Sequence, residues 1–142
     1  MKCLDLMKTE IETFRESDRV TVIARRMRDV NIGFVPICDP DGRPVGTITD
    51  RDLALRVCAE DLRASDTRAA DVMTREVVTC READDLERAE RLMATHHKSR
   101  IMIVDEDGRL QGVISLSDIV DEEDDGRAAE TMRRVAEREV HA

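Results

Sequence analysis

Two stretches of the chain carry apolar residues at the spacing of an amphipathic helix. The first has Val22, Ile23, Met27 and Val30, and the second has Leu86, Ala89, Leu92 and Met93. Positions three or four residues apart share one face of a helix, so each stretch predicts a helix with one buried face. Ser17 and Asp18 precede the first helix and Asp84 precedes the second, and their side chains are predicted to cap the helix starts.

Short apolar runs of strand length follow each predicted helix, at 34–38 and 101–104. Each run leads to an Asp-Gly pair, at 41–42 and 107–108, which favours a tight hairpin turn. Return strands are predicted over 44–48 and 110–114, and they lead into helices that begin at Thr49 and Ser115. A short helical segment ending at Met7 or Met73, and a brief strand over 10–13 or 76–79, come before the amphipathic helix. The predicted order in each half is therefore β-α-β-β-α.

The two halves are copies of one unit at a constant offset of 66 residues. Similarity at a fixed period means one supersecondary unit used twice, and two such units normally bury their apolar faces against each other. The predicted fold is α+β, with a first repeat over 2–62 and a second over 68–122 packed as a pseudo-twofold pair. The matching segments are 5–7 with 71–73, 15–16 with 81–82, 41–43 with 107–109, Gly46 with Gly112, and Asp52 with Asp118.

The last part of the chain, over 126–142, departs from the repeat and is predicted to be a helical tail. Six acids lie between 118 and 125 and are expected to be solvated. An amphipathic helix is predicted over 127–140, with Ala128, Met132, Val135 and Ala136 on one side. Three roles fit this helix: a dimer contact, an effector contact, or a surface helix folded back on its own chain.

Composition narrows the classes of partner. The 142 residues are 41% hydrophobic and 39% charged, no apolar run approaches the length of a membrane span, and the start of the sequence lacks the apolar region of a signal peptide. We therefore expect a cytoplasmic protein that does not enter a membrane. A net charge of −9 and an aromatic content of 1% argue against nucleic acid, which needs positive charge and stacking surfaces.

The four cysteines, Cys3, Cys38, Cys58 and Cys80, form no C-x-x-C pair. Their wide spacing is not that of a zinc knuckle or a redox motif, so they are interpreted mainly as small buried hydrophobic residues. The alternative is that two of them hold a metal together with His96 or His97.

Segments 33–39 and 46–52, with 112–118 in the second copy, resemble the two hallmark motifs of the cystathionine β-synthase (CBS) domain family. These are a glycine-hydrophobic-x-proline run that ends in Asp, and glycine-x-x-Thr/Ser-x-x-Asp. The layout is similar to stand-alone bacterial CBS pairs of the hypoxic-response type. The resemblance implies a tandem pair packed through its sheets, two clefts between the motifs that hold adenosine compounds, and association of two chains into a flat homodimer.

The resemblance also implies a role for eight side chains. Two carboxylates would accept hydrogen bonds from ribose hydroxyls, four hydroxyls would line the pockets or donate to phosphate and ribose oxygens, and two guanidinium groups would face phosphate. The residues are Asp52 and Asp118; Thr13, Thr49, Thr79 and Ser115; and Arg51 and Arg100.

A structural interpretation stands beside this one. Thr49-x-x-Asp52 and Ser115-x-x-Asp118 are also capping boxes, in which hydroxyl and carboxylate satisfy the free amides of a helix start. Gly46 and Gly112 precede these boxes and indicate that a ligand or a backbone approaches closely. The two arginines could be solvated surface charges.

The sequence contains no recognisable catalytic constellation, phosphate-binding loop or dinucleotide fingerprint. The function expected is therefore a regulatory module that binds AMP, ADP or ATP and is not an enzyme. It needs no cofactor or metal, and S-adenosylmethionine and NAD are alternative ligands. A homodimer and an effector protein are the expected partners. Two alternatives are a metal-linked redox or stress-response module and a structural dimer with empty clefts.

Overall fold

Each copy of the repeat contributes one long helix and one β-hairpin to an α+β fold. The structure is a computed structural model, and it describes residues 1–122 and 129–136. The helices are α1 (Cys3–Leu6), α2 (Val20–Val30), α3 (Asp50–Leu53), α4 (Ala69–Val72), α5 (Leu86–His96) and α6 (Leu116–Glu122), and residues 129–136 are also helical. The strands are β1 (Phe34–Cys38), β2 (Pro44–Thr49), β3 (Thr79–Arg81), β4 (Arg100–Val104) and β5 (Leu110–Ser115). A π-helical turn (Ala54–Cys58) extends α3, and a 3-10 turn covers Ala64–Asp66.

The chain divides into two compact units that do not follow the order of the repeats. One unit is the continuous segment Ile11–Val77, here called the inner unit, and the other combines Met1–Glu10 with Val78–Ala142, here called the outer unit. The segment before each repeat therefore belongs to the other copy's unit. In the outer unit Lys8 pairs with Val113, and in the inner unit Thr74 pairs with Thr47 in the same antiparallel manner.

The inner unit is built around the antiparallel pair β1–β2 and helix α2. The strand predicted over 10–13 is not formed there. A single parallel bridge joins Phe14 to Ile37 instead, with Cys38 N–H donating to the Phe14 carbonyl at 2.8 Å. The core of this unit consists of Val20, Ile23, Met27, Val35, Ile37, Ile48, Val57, Ala69, Val72 and Met73.

The outer unit has a three-stranded sheet in the order β3–β4–β5. Strand β3 runs parallel to β4, and β4 runs antiparallel to β5. The strand predicted over 76–79 is displaced to 79–81, where Cys80 lies opposite Ile103. The core of this unit consists of Cys3, Cys80, Leu86, Ala89, Met93, Ile101, Ile103, Ile114, Ile119 and Val135.

Both hairpins turn at the predicted Asp-Gly pairs. Gly42 and Gly108 have φ angles of 86° and 83°, a left-handed conformation that glycine adopts without steric cost. The acid that begins each turn closes it: Asp39 Oδ1 accepts from two backbone amides at 2.9 Å, and Asp105 Oδ1 does the same at 2.9 Å.

The predicted caps of the two long helices are wrong. Helix α2 begins after Arg19 and α5 begins after Asp85, and neither start has a side-chain cap. Asp18 instead accepts the Arg15 N–H at 2.8 Å, and Asp84 accepts the Arg81 N–H at 2.9 Å. An Asp before a helix can bond to an amide on either side of it. Here both carboxylates close the turn that precedes the helix.

The buried face of the helix over 129–136 differs from the apolar side that the sequence pattern predicted. Thr131 and Val135 are buried, whereas Met132 is exposed. The carbonyl of Arg134 lies 2.8 Å from His97 Nδ1. The described part of the tail is thus a helix folded onto its own unit. The rest of the predicted tail, 126–128 and 137–142, and the acids at 123–125 lie outside the described residues. No helix among the described residues has the length and apolar character to cross a membrane.

Candidate functional site

The eight candidate residues divide equally between the two units. Thr13, Thr49, Arg51 and Asp52 belong to the inner unit, and Thr79, Arg100, Ser115 and Asp118 belong to the outer unit. In the outer unit Arg100 lies opposite Ser115, and Thr79 lies opposite Met102. Arg100 and Ser115 therefore lie at one end of the sheet, and Thr79 is level with the middle of β4. Asp118 follows that end in the first turn of α6.

In the inner unit Thr49 and Asp52 form a reciprocal capping box. Asp52 Oδ2 accepts the Thr49 N–H at 2.9 Å, and the Asp52 N–H donates to Thr49 Oγ1 at 3.1 Å. Thr49 has the extended backbone of a helix N-cap, with φ −112° and ψ 165°. Two amides that helix geometry leaves without partners are thereby satisfied.

The outer unit repeats this geometry at Ser115 and Asp118. Asp118 Oδ2 accepts the Ser115 N–H at 3.0 Å, and the Asp118 N–H donates to Ser115 Oγ at 3.2 Å. Ser115 Oγ also lies 2.9 Å from Ser117 Oγ. The capping interpretation of both boxes is therefore correct, and each box occupies only one of the two carboxylate oxygens.

The second oxygen of Asp52 faces a guanidinium group. Arg56 Nη2 lies 3.6 Å from Asp52 Oδ1, and the side chain of Asp52 is 15% exposed. Arg56 Nη1 donates to the Val72 carbonyl at 2.8 Å and to Thr74 Oγ1 at 3.0 Å. Two oxygens, one from the last residue of α4 and one from the segment after it, thus hold the guanidinium in place beside the carboxylate.

The second oxygen of Asp118 faces an ammonium group instead. Lys8 Nζ lies 3.1 Å from Asp118 Oδ1, and the two side chains are 73% and 13% exposed. Burial by itself would raise the pKa of Asp118, but the Ser115 amide and hydroxyl and the Lys8 ammonium together lower it below the usual value. Asp118 is therefore held as a carboxylate with one oxygen directed to an exposed lysine.

The glycines before the two boxes are crowded by the protein itself. A Cβ at Gly46 would lie 2.8 Å from Met73 Sδ and 2.9 Å from the Thr74 carbonyl oxygen. A Cβ at Gly112 would lie 2.7 Å from Met7 Sδ. The close approach that the sequence indicated is made by the chain's own side chains and backbone, so these glycines do not point to a ligand.

Of the four remaining candidates, Thr13, Arg51 and Arg100 are exposed, and Thr79 is half-buried. Thr79 also lines a surface pocket of about 510 Å³ beside the β4–β5 turn. Arg100, Ser115 and Asp118 do not line that pocket, so it shares only Thr79 with the candidate site.

Sequence reasoning missed Arg56 and Lys8. Arg56 stands four residues after Asp52 on the same helical segment, and the i,i+4 rule for charged pairs would have found it. Lys8 is far from Asp118 in the sequence, and no local pattern indicates that they meet. Among the described residues no group of three or more His, Cys, Asp or Glu side chains is arranged to hold a metal ion.

Comparison with known proteins gives a family match over most of the chain. The family model described as "CBS domain" matches residues 3–58 and 69–125. The CBS domain-containing protein YhcV of Bacillus subtilis is 31% identical over 138 residues, which are 96% of each chain. Protein MK0525 of Methanopyrus kandleri is 30% identical over 116 residues, which are 82% of this chain and 59% of that protein.

Three solved structures are similar in fold and sequence. Hypoxic Response Protein I, with two coordinated zinc ions, is 25% identical with a TM-score of 0.78 over 87% of this chain and 100% of that one. The CBS domain pair of MJ0100, in complex with 5'-methylthioadenosine and S-adenosyl-L-methionine, is 25% identical with a TM-score of 0.75 over 85% and 98%. The cytosolic domain of the Mg2+ channel MgtE, in complex with ATP, is 31% identical with a TM-score of 0.71 over 82% and 46%.

Proposed function

Because the chain belongs to the family of CBS domain proteins, we propose that it is a regulatory module that binds adenosine-containing nucleotides and catalyses no reaction. AMP, ADP and ATP are the proposed ligands, and no cofactor or metal is required. Support comes from structural neighbours, since the CBS pair of MJ0100 holds two adenosine compounds and the MgtE domain holds ATP. S-adenosylmethionine and NAD are the alternative ligands of the same class.

The observation that carries the proposal is the second oxygen of each capping carboxylate, which the cap does not use. In Asp52 and Asp118 one oxygen completes the helix cap, and the other is directed to a cation at 3.6 Å or 3.1 Å. A carboxylate oxygen can accept from a ribose hydroxyl, and such charge-assisted bonds contribute about 1.5–3 kcal/mol each. The neighbouring Arg56 and Lys8 are available to phosphate once ribose occupies the carboxylates.

The other candidate residues complete the proposed sites. Thr49 and Ser115 are half-buried at the helix starts, and we propose that their hydroxyls contact ribose or phosphate while their amides keep the cap. Thr13 and Thr79 are proposed to line the sites, and Arg51 and Arg100 to face phosphate. Since only 1% of the chain is aromatic, the adenine must be held by aliphatic side chains and backbone groups.

The proposed partners are a second copy of this chain and an effector protein. Exposed apolar side chains of the inner unit support association, because a second copy could cover them with closed symmetry; they are Val22, Leu55 and Leu62, which are 52%, 52% and 46% exposed. The proposed compartment is the cytoplasm, where adenine nucleotides are metabolites.

Isothermal titration calorimetry of the full chain, after removal of any bound nucleotide, tests the proposed function. We expect saturable binding of at least one of AMP, ADP and ATP, and a weakening of about tenfold or more in Asp52→Ala or Asp118→Ala in its own site. Asp71→Ala is the matched control, because Asp71 accepts the Arg68 N–H at 3.0 Å in the same way but lies outside the proposed sites. Its affinity should equal that of the wild type.

Two results would contradict the proposal. If none of the nucleotides, S-adenosylmethionine or NAD binds, the boxes are helix caps and the clefts are empty. If nucleotide binds but Asp52→Ala and Asp118→Ala only lose about 1 kcal/mol of stability, the ribose role is wrong. The chain has no Trp and no Tyr, so copurified adenine would be visible as an absorption band near 260 nm.

A further inference from the structure

Two arginines, Arg19 and Arg68, lie directly opposite each other in the inner unit. An isolated antiparallel bridge joins them, and the N–H groups of the residues that follow, Val20 and Ala69, each donate across it at 2.8 Å. This hydrogen-bond pattern makes the arginines a non-hydrogen-bonded pair, the register in which opposite side chains come closest. Both residues are exposed. Two positively charged side chains are therefore attached at one point of the surface.

The outer unit contains the same bridge with opposite charges. Lys2 pairs there with Asp85, and backbone hydrogen bonds of 2.9 and 3.0 Å flank the pair in the same positions. At the repeat offset of 66, Lys2 is equivalent to Arg68 and Asp85 is equivalent to Arg19. Lys2 Nζ lies 2.7 Å from Asp85 Oδ1, so this backbone geometry allows the two side chains to meet. In the inner unit a second cation stands where the outer unit has the carboxylate.

The acids nearest in sequence to the two arginines bond elsewhere. Asp18 and Asp71 each use one carboxylate oxygen to accept a backbone amide, at 2.8 and 3.0 Å. Asp66 lies 3.8 Å from the guanidinium of Arg63. Within residues 1–122 and 129–136, neither arginine of the bridge forms an ion pair. The two positive charges of the inner bridge are therefore not neutralised by a carboxylate of the described chain.

A second acid of the outer copy is also missing from the inner copy. Helix α5 carries Glu87 in its first turn, whereas α2 has no acid there, and the position equivalent to Glu87 is Thr21. The inner bridge has thus exchanged two acids for a cation and a neutral hydroxyl, in a chain whose net charge is −9. Like charges directly opposite each other destabilise a strand pair. The inner bridge therefore lowers stability unless an anion binds to it.

We propose that Arg19 and Arg68 form a binding site for a phosphate group, carried by free phosphate or by a small phosphate monoester. A guanidinium group binds phosphate oxygens with two parallel N–H donors, and two such groups match the charge of about −1.5 to −2 that a phosphate monoester has near pH 7. A single carboxylate would neutralise only one of the two charges. The site shares no residue with the candidate nucleotide sites and does not depend on their function.

Thermal unfolding of the full chain at constant ionic strength tests the proposal. Sodium phosphate, or glycerol 3-phosphate in a parallel series, replaces sodium chloride, and circular dichroism follows the midpoint. We expect a saturable rise of about 3–5 °C at about 10 mM phosphate. The apparent affinity should weaken about tenfold or more in Arg19→Ala and in Arg68→Ala. Comparison of the two series determines whether free phosphate or a monoester binds more tightly.

Two further variants separate phosphate binding from misfolding. Arg19→Asp gives the inner bridge the charges of the outer one, so without phosphate we expect its midpoint to rise by about 1–2 °C in low salt. The same variant should lose the response to phosphate, and a variant more stable than the wild type cannot owe that loss to misfolding. Lys2→Ala is the matched control, because it removes the equivalent cation from a bridge where Asp85 already supplies the anion. Its response to phosphate should equal that of the wild type.

Three results would overturn the proposal. The first is a wild-type midpoint that phosphate does not raise above its value in sodium chloride of equal ionic strength. The second is an equal response to phosphate in the wild type and Arg19→Asp. The third is a response that is lost in Asp52→Ala or Asp118→Ala and kept in the arginine variants, because phosphate would then occupy a nucleotide site. Failure of nucleotide binding in calorimetry leaves these outcomes unchanged, since the two tests depend on different residues.

Discussion

The two copies of the Thr/Ser-x-x-Asp box have the same cap and different cations. The cap distances are 2.9 and 3.1 Å at Asp52 and 3.0 and 3.2 Å at Asp118. The cation of the first box is Arg56, four residues along the same helical segment, and that of the second is Lys8, from a distant part of the chain. A cap is encoded by four adjacent residues and is copied with them. The electrostatic partner depends on residues outside the repeat motif and has diverged.

The repeat offset makes this divergence explicit. The position equivalent to Arg56 is Glu122, and the position equivalent to Lys8 is Thr74. In the inner unit Thr74 accepts a hydrogen bond from Arg56, the cation beside Asp52. In the outer unit the position equivalent to Thr74 is Lys8, which is itself the cation beside Asp118. One site therefore presents a planar, fixed guanidinium and the other a flexible ammonium, and these groups recognise phosphate differently.

The largest expected effects concern the two glycines, which are crowded to a similar degree. Gly46→Ala should lower the free energy of unfolding by about 2–3 kcal/mol, because one crowding atom is the fixed carbonyl oxygen of Thr74. Gly112→Ala should cost about the same, because one crowding atom is Met7 Cβ at 2.8 Å, which a change of side-chain rotamer cannot move away. Urea unfolding followed by circular dichroism measures both. A loss below about 1 kcal/mol in either variant would mean that the neighbouring segment shifts away at little cost.

The next largest effects concern the two cations, whose removal should lower stability by different amounts. Arg56→Ala removes an ion pair and two hydrogen bonds to oxygens of the inner unit, so we expect a loss of about 1–2 kcal/mol. Lys8→Ala removes one exposed ion pair, and we expect about 0.5 kcal/mol or less. The loss for Lys8 should shrink further in 0.5 M salt, whereas that for Arg56 should persist. Lys2→Ala is the matched control for an exposed pair in the same segment.

The smallest effect is the pH dependence at Asp118. Its pKa is lowered in the folded chain, so its contribution is present above the unfolded value near 3.9 and is lost as pH falls through the folded pKa. The stability gap between wild type and Asp118→Asn should therefore narrow between pH 5 and pH 3. We expect about 0.5 kcal/mol, because Lys8 is exposed to solvent. A gap that stays constant or widens on acidification would contradict this assignment.

Local patterns predicted much of the fold correctly. The Asp-Gly pairs placed both hairpin turns, and Thr49 and Ser115 marked the helix starts, because turn and cap chemistry is decided within four residues. The caps assigned to Asp18 and Asp84 were wrong because the same side chain can close the preceding turn. The strand predicted at 10–13 is reduced to the Phe14 bridge, since alternation in the sequence does not determine how many residues find a partner.

The residues of the candidate site also differ in whether a local pattern indicates them. Asp52 and Asp118 could be recognised from the repeat, and Arg56 could have been recognised from helix spacing. Lys8 could not, because its approach to Asp118 depends on the exchange of segments between the repeats. Contacts that depend on residues 1–10 lying in the outer unit could not be predicted from a local pattern.

The discontinuity of the outer unit has a consequence for the order in which the protein can assemble during synthesis. The inner unit is complete once Val77 has left the ribosome, but residues 1–10 must wait for β5, which ends at Ser115. The intervening 38 residues take about 2–8 s at usual elongation rates. During that interval the nascent segment with exposed Met1 and Leu4 has no sheet to join. Residues 1–10 are therefore made before the strands that they join, and they are exposed to chaperones until those strands have been made.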